Sequence, residues 1–132
     1  MASEKDDRRT HQRLDAEFAV QVADRDGVLP QGTIVSQSRN ISLGGIYCRV
    51  NHHIPVLTKL QLTLLLPIRG KKKDVKTQLV KVDAIVVRAT PEKPDPARPE
   101  CEIACAFLGL EDESKKSLVR YIRDLVEAEM GA

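Results

Sequence analysis

A mainly β fold, a small antiparallel barrel or strongly bent sheet with one C-terminal helix, is predicted by three observations. Apolar and polar residues alternate over six short stretches, Gly- and Pro-rich turn signals separate those stretches, and the period becomes helical only after Gly109. A lone helix with one apolar stripe must cover that stripe against the sheet, which makes the whole a single two-layer unit.

The elements follow in order. From Leu14 the pattern has period two, with Phe18, Val20 and Val22 alternating with Glu17, Ala19 and Gln21. Asp24 to Gly32, containing Gly27 and Pro30, reads as a turn. Thr33 to Gln37 is a second strand, and it leads into a polar turn over Asn40 to Gly45. In the third strand Ile46, Cys48 and Val50 share one side, and Tyr47 and Arg49 share the other. Leu60, Leu62, Leu64 and Leu66 mark the fourth, which Pro67 and Gly70 are expected to close. The fifth runs from Leu79 to Arg88, with Val80, Val82, Ala84 and Val86 on one face. Pro91 to Pro99 holds four prolines and cannot join a ladder, so an exposed loop is expected there before a sixth strand at Glu100 to Phe107. Leu118, Val119, Ile122, Leu125 and Val126 form the apolar stripe of the helix, with Asp112 as N-cap and Gly131 just beyond the last turn.

The chain has 132 residues, enough for one core. Residues 1–13 contain only Met1 and Ala2 as apolar residues and are expected to form a flexible arm, with 14–132 as the folded body. That charged, polar start lacks the apolar segment of a secretory signal, and no apolar run reaches the length of a membrane span. A cytoplasmic protein without membrane insertion is the expectation. Three cysteines, Cys48, Cys101 and Cys105, leave one unpaired under any disulfide scheme and fit a reducing compartment. Aromatic residues are 3% of the chain, too few for a platform on which the bases of single-stranded nucleic acid stack. Formal net charge is only +2, so no global basic field draws the chain to DNA or to an anionic membrane. Binding of anions must be local.

Two strings offer local binding. Arg9-Thr10-His11-Gln12-Arg13 places two guanidiniums four residues apart on the arm, and Asn40-Ile41-Ser42-Leu43-Gly44-Gly45 is a Gly-rich turn with Asn and Ser at its mouth. Taken alone, the arginines read as a solvated basic tail and the turn as one chosen for its backbone. Their order and spacing together are more specific. RxxxR followed by NxSxxG resembles the PilZ domain family, whose members are bacterial receptors for the second messenger cyclic di-GMP. Arg9 and Arg13 fall on the first motif, and Asn40, Ser42 and Gly45 on the specified positions of the second. The resemblance implies a six-stranded antiparallel barrel followed by a helix, with the ligand held on the barrel exterior beneath the arm. It also implies that an arginine just before the first motif, here Arg8, favours a stacked pair of nucleotides over one. Four phosphates would call for more neutralising charge than two.

The chemistry of these side chains suits that ligand. An arginine fork grips phosphate bidentately and can pair with guanine O6 and N7, or lie flat over the base. On an extended arm the two side chains would stand about 13 Å apart at about 3.3 Å per residue, so the arm is expected to bend around the nucleotide. Asn40 can offer an amide oxygen to the guanine N1 and N2 donors, and Ser42 a hydroxyl to phosphate or ribose. Gly44 and Gly45 would permit positive φ and a close backbone approach. Such an assembly binds and does not turn over a substrate, and it needs no cofactor. Its expected partners are cyclic di-GMP and an unidentified downstream protein, with the chain a monomer or weak homodimer.

Other residues have plainer readings. Cys101 and Cys105 share an apolar strand face and, with His11, His52 and His53, lack the spacing of a metal motif. Arg69, Lys71, Lys72, Lys73 and Lys76 read as a solvated hairpin turn. An alternative to the receptor is a PilZ-like adaptor that works through protein contacts and binds no nucleotide.

Overall fold

In the computed structural model, residues 14–24, 33–69 and 75–131 are described. The arm with Arg8, Arg9 and Arg13, most of the first turn, and Lys71, Lys72 and Lys73 lie outside the described residues. Seven strands precede one helix: β1 (Leu14–Asp15), β2 (Ala19–Asp24), β3 (Thr33–Ile41), β4 (Gly45–Val50), β5 (Lys59–Arg69), β6 (Val75–Thr90), β7 (Cys101–Leu108) and α1 (Asp112–Gly131). All pairings are antiparallel, and the order β3-β2-β5-β6-β7-β4 closes on itself through β3 and β4. The expected six-stranded barrel is therefore present, with β1 as one short extra strand laid along β3.

Period-two patterning decides which face turns inward. Leu14, Ala16, Phe18, Val20 and Val22 are buried in alternation, as are Leu60 to Leu66 and Val80 to Val86 at every second residue. Leu62 opposite Val82 and Leu64 opposite Val80 fill the interior between β5 and β6, each fully buried side chain contributing about 1.5–3 kcal/mol. On the β4 and β7 side, Ile46, Cys48, Ile103 and Cys105 complete the same core.

The helix packs chiefly against β6, with smaller contacts to β1 and β5. Glu111 O accepts the Lys115 N–H at 2.8 Å, which puts Glu111 rather than Asp112 at the cap, and the helix includes Gly131. Leu118 is fully buried, but Val119 is exposed and Tyr121 takes its place in the contact. The ring of Tyr121 meets Phe18 edge-on at 5.6 Å, a geometry that adds about 0.5–1.5 kcal/mol beyond burial. Further support comes from Ser114 Oγ donating to Lys81 O and Gln78 Nε2 to Ser117 Oγ.

Three strands outrun their expected ends, and β3 is the first: it continues past Gln37 to Ile41, so Asn40 lies in a strand and not in the turn. Pro67 does not close β5 but sits within it, opposite Thr77. Because β2 pairs with β5 only as far as Leu64, the far end of β5 is paired, among the described strands, with β6 alone, and a residue without an N–H is tolerated there. β6 likewise runs from Val75 to Thr90, with a register irregularity between Val86 and Arg88.

Candidate functional site

The turn of the second motif connects β3 to β4. Ser42 N donates to Gly45 O at 2.9 Å, and the Ser42 hydroxyl accepts the Gly44 N–H at 3.1 Å. The same hydroxyl lies 3.5 Å from Gly45 O, a long contact to which it can donate. Ser42 is thus buried and occupied with shaping the turn, keeping one acceptor lone pair of its inventory. Neither Gly44 nor Gly45 takes a positive φ; among the described glycines that conformation belongs to Gly109. What requires glycine at 45 is space, since a Cβ there would stand 2.2 Å from Cys105 O on β7. The close approach is to the neighbouring strand. Phe107 N donating to Gly44 O at 2.9 Å fastens the turn to β7 from the other side.

Asn40 owes its orientation to an irregularity. Ser38 stands opposite Cys48 and Asn40 opposite Tyr47, so Arg39 is an extra residue on β3. With strict alternation an inward Ser38 would make Asn40 inward too. The bulge instead leaves Arg39 exposed and Asn40 half-buried, both on the outer face, before Ile41 returns to the core. Ser38 itself is buried at 1% exposure, accepting from Phe18 N at 2.9 Å and donating to Ala16 O at 2.6 Å.

These bonds fix the stretch that follows the arm. Leu14 pairs with Ile41 and Asp15 with Asn40, and Ala16 N donates to Arg39 O at 3.1 Å. The first described residue after Arg13 is therefore held against the very segment that enters the Ser42 turn.

Register across the barrel wall defines the neighbouring surface. Asn40, Tyr47, Ala104 and Arg88 form one outward row, with Ala104 nearly covered between the larger flanking side chains. Gly45, Ala106 and Ile85 form the next row on one side; Arg49, Glu102 and Thr90 form it on the other. Glu102 Oε1 is 3.0 Å from Arg39 Nη1 and 3.7 Å from Arg49 Nη2. Beyond Arg49 and Glu102 a groove of about 710 Å³ opens against Pro91, Arg98 and Pro99 of the β6–β7 loop. The surface offers guanidiniums, an amide and a phenol around small residues, a set suited to holding a polar anionic ligand.

Cys48 and Cys105 face away from it. Burial pushes the Cys48 thiol up to about 12, only partly offset by a hydrogen bond with Ser36, and burial next to Cys48 pushes Cys105 higher still. Both behave as small core hydrophobes. Among the described residues, no three His, Cys, Asp or Glu side chains converge on a common point. No described helix is long and apolar enough to cross a membrane.

Sequence reading placed Asn40, Ser42, Gly44 and Gly45 in one turn, whereas Asn40 lies in β3 and Gly45 opens β4, and it missed Ser38, Arg39, Tyr47 and Glu102. Their roles depend on the register between strands, which no local pattern carries.

A closed six-stranded barrel with a C-terminal helix and a polar outer corner beside the N-terminal segment defines a small β-barrel domain. The chain belongs to the PilZ domain family, whose model matches residues 7–124. Among solved structures it resembles the inhibitor of motility MotI/DgrA of Bacillus subtilis, with 23% identity and a TM-score of 0.67 over 91% of this chain and 52% of that one. It also resembles the PilZ domain of YcgR from Escherichia coli, solved with c-di-GMP, with 18% identity and a TM-score of 0.58 over 92% and 94% of the two chains. A third likeness is to MrkH of K. pneumonia in its c-di-GMP complex, with 16% identity and a TM-score of 0.64 over 95% of this chain and 55% of that one. The chain thus spans about half the length of MotI/DgrA and of MrkH. No curated protein sequence matches it.

Proposed function

We propose that this protein is a receptor for cyclic di-GMP whose output is binding rather than turnover. The observation that carries the reading is the pairing of β1: Leu14 lies opposite Ile41 and Asp15 opposite Asn40, and Arg13 is the residue directly before Leu14. The chain that directly follows the first motif thereby lies against the segment that enters the second, although about thirty positions of sequence separate the two motifs. Support also comes from the family and from the c-di-GMP held by YcgR and MrkH.

In this reading Arg9 and Arg13, with Arg8, supply the guanidiniums for phosphate and guanine, and Asn40 reads the guanine N1 and N2 edge. Ser42 and Gly45 act mainly by holding the turn against β7, and Gly44 presents backbone at the mouth. Bound nucleotide fixes the arm against the barrel, so the surface shown to a downstream protein changes with messenger concentration. Ordering the arm costs free energy, which lowers affinity relative to a preformed site.

A second reading, a PilZ-like adaptor without nucleotide, is favoured by one observation. Ser42 and Gly45 both serve the turn itself, so that motif would persist for structural reasons alone.

Titration calorimetry of cyclic di-GMP into the full chain, beside the Arg9→Ala/Arg13→Ala double variant, separates the two. The receptor gives saturable binding near about 1 μM or tighter, about −8 kcal/mol, which the double variant loses. The molar ratio reports one nucleotide or a stacked pair. Absence of heat at high nucleotide concentration would leave the adaptor.

A further inference from the structure

Glu102 belongs to neither motif and not to the core, yet two arginines converge on it. Arg39 is the bulge residue beside Asn40, and the bulge sets both of them on the outer face. Arg49 lies two residues along β4 from Tyr47, the register partner of Asn40, and Glu102 stands directly opposite Arg49 on β7. Arg49 and Glu102 thus occupy an outward row about 7 Å from the Asn40–Tyr47–Ala104 row, at about 3.3–3.4 Å per strand residue. That is within a Debye length of a dianionic ligand seated there, about 8 Å at physiological salt.

The local charge is finely set. Two guanidiniums and one carboxylate leave a net charge of +1, where the guanidiniums alone would present +2. Side chains of Arg39, Arg49 and Glu102 are 49%, 50% and 52% exposed, so each can swing without disturbing the core. An exposed pair of this kind is weak, which makes it exchangeable for a better partner.

We propose that Glu102 is a built-in counter-ion that competes with the nucleotide's phosphates for Arg39 and Arg49 and so sets the affinity of the site. In the free protein the two arginines are held by Glu102. On binding, Arg39, the arginine nearer the turn, leaves Glu102 for a phosphate oxygen, and Arg49 keeps the carboxylate neutralised. The inference rests on the cyclic di-GMP reading and assigns that site a tuning residue outside both motifs.

The test is titration of the full chain with cyclic di-GMP at two salt concentrations, using wild type, E102Q, E102D, R39A and R39A/E102Q, with melting temperature as the folding control. E102Q is expected to bind about two- to five-fold more tightly, the range that exposed ion pairs reach, and to show a steeper loss of affinity with salt. E102D keeps the charge and is expected to keep wild-type affinity. R39A weakens binding, and in the R39A/E102Q variant the gain shrinks. Wild type and E102Q binding equally, or E102D tightening as much as E102Q, would overturn the counter-ion role while leaving the receptor intact. No binding by either protein at either salt would overturn the receptor and this role together.

Discussion

The β5–β6 hairpin and the β3–β4 corner are antiparallel turns of one barrel, built on opposite plans. β5 and β6 pair without interruption from Lys59 opposite Ile85 to Arg69 opposite Val75. Inward residues alternate along both strands, and the ladder carries much of the core. At β3–β4 the ladder is broken after Ser38, a hydroxyl is used to shape the turn, and a glycine is required where two strands crowd. Regular pairing presents every second side chain to water in a fixed way. The broken register turns Arg39 and Asn40 outward together and brings the chain that follows Arg13 alongside. Scaffold and site are thus separated by regularity, and substitutions in the two regions are expected to fail in different ways.

The largest loss is expected in the scaffold. Leu62→Ala empties a fully buried position between Val22 and Val82, costing about 2–5 kcal/mol in chemical denaturation. Nucleotide affinity of the folded fraction should stay unchanged; a matching loss of affinity would break the separation. Gly45→Ala drives a Cβ into Cys105 O and is expected to cost about 1–3 kcal/mol. Unlike Leu62→Ala, it should also weaken cyclic di-GMP binding, because the turn and its attachment to β7 shift together. Ser38→Ala leaves the buried Phe18 N–H without its acceptor, for about 1–3 kcal/mol. Since Ser38 also holds Ala16, backbone amide exchange in Leu14 to Phe18 should rise while β5 stays protected.

Alkaline pH reaches the inner face through its buried thiols. The folded-state pKa of Cys48 is raised to about 12 from the usual 9.0, so the thiol's contribution is complete below pH 9 and is lost as pH rises toward 12. Stability should therefore fall by up to about 1.4 kcal/mol per pH unit in that window for this thiol. Cys48→Ala should flatten the slope in a denaturation series. A slope unchanged by that substitution would assign the loss to other groups.

Legibility in the sequence followed the same division. Leu60 to Leu66 and Val80 to Val86 announced both strand and buried face, because period two is a local property. The turn at Ser42 to Gly44 was found, but not that Asn40 before it belongs to β3, and the two motifs were linked through family resemblance. Hidden from view was everything decided between strands: the bulge at Arg39, the pairing of two-residue β1, and the crowding of Gly45 by Cys105. The helix shows a milder version. Val119 fits an apolar stripe as well as Tyr121 does, but the barrel offers Phe18 to a ring. Pro67 misled for a related reason, since its tolerance within β5 depends on where β2 stops.

The most direct measurement is a backbone amide NMR titration with cyclic di-GMP. Perturbation should concentrate at Leu14, Asp15, Asn40, Ser42, Gly44 and Tyr47, with Leu60 to Leu66 and Val80 to Val86 left in place. Shifts centred on the β5–β6 ladder, or none at all at saturating nucleotide, would contradict the assignment of the irregular corner as the binding site.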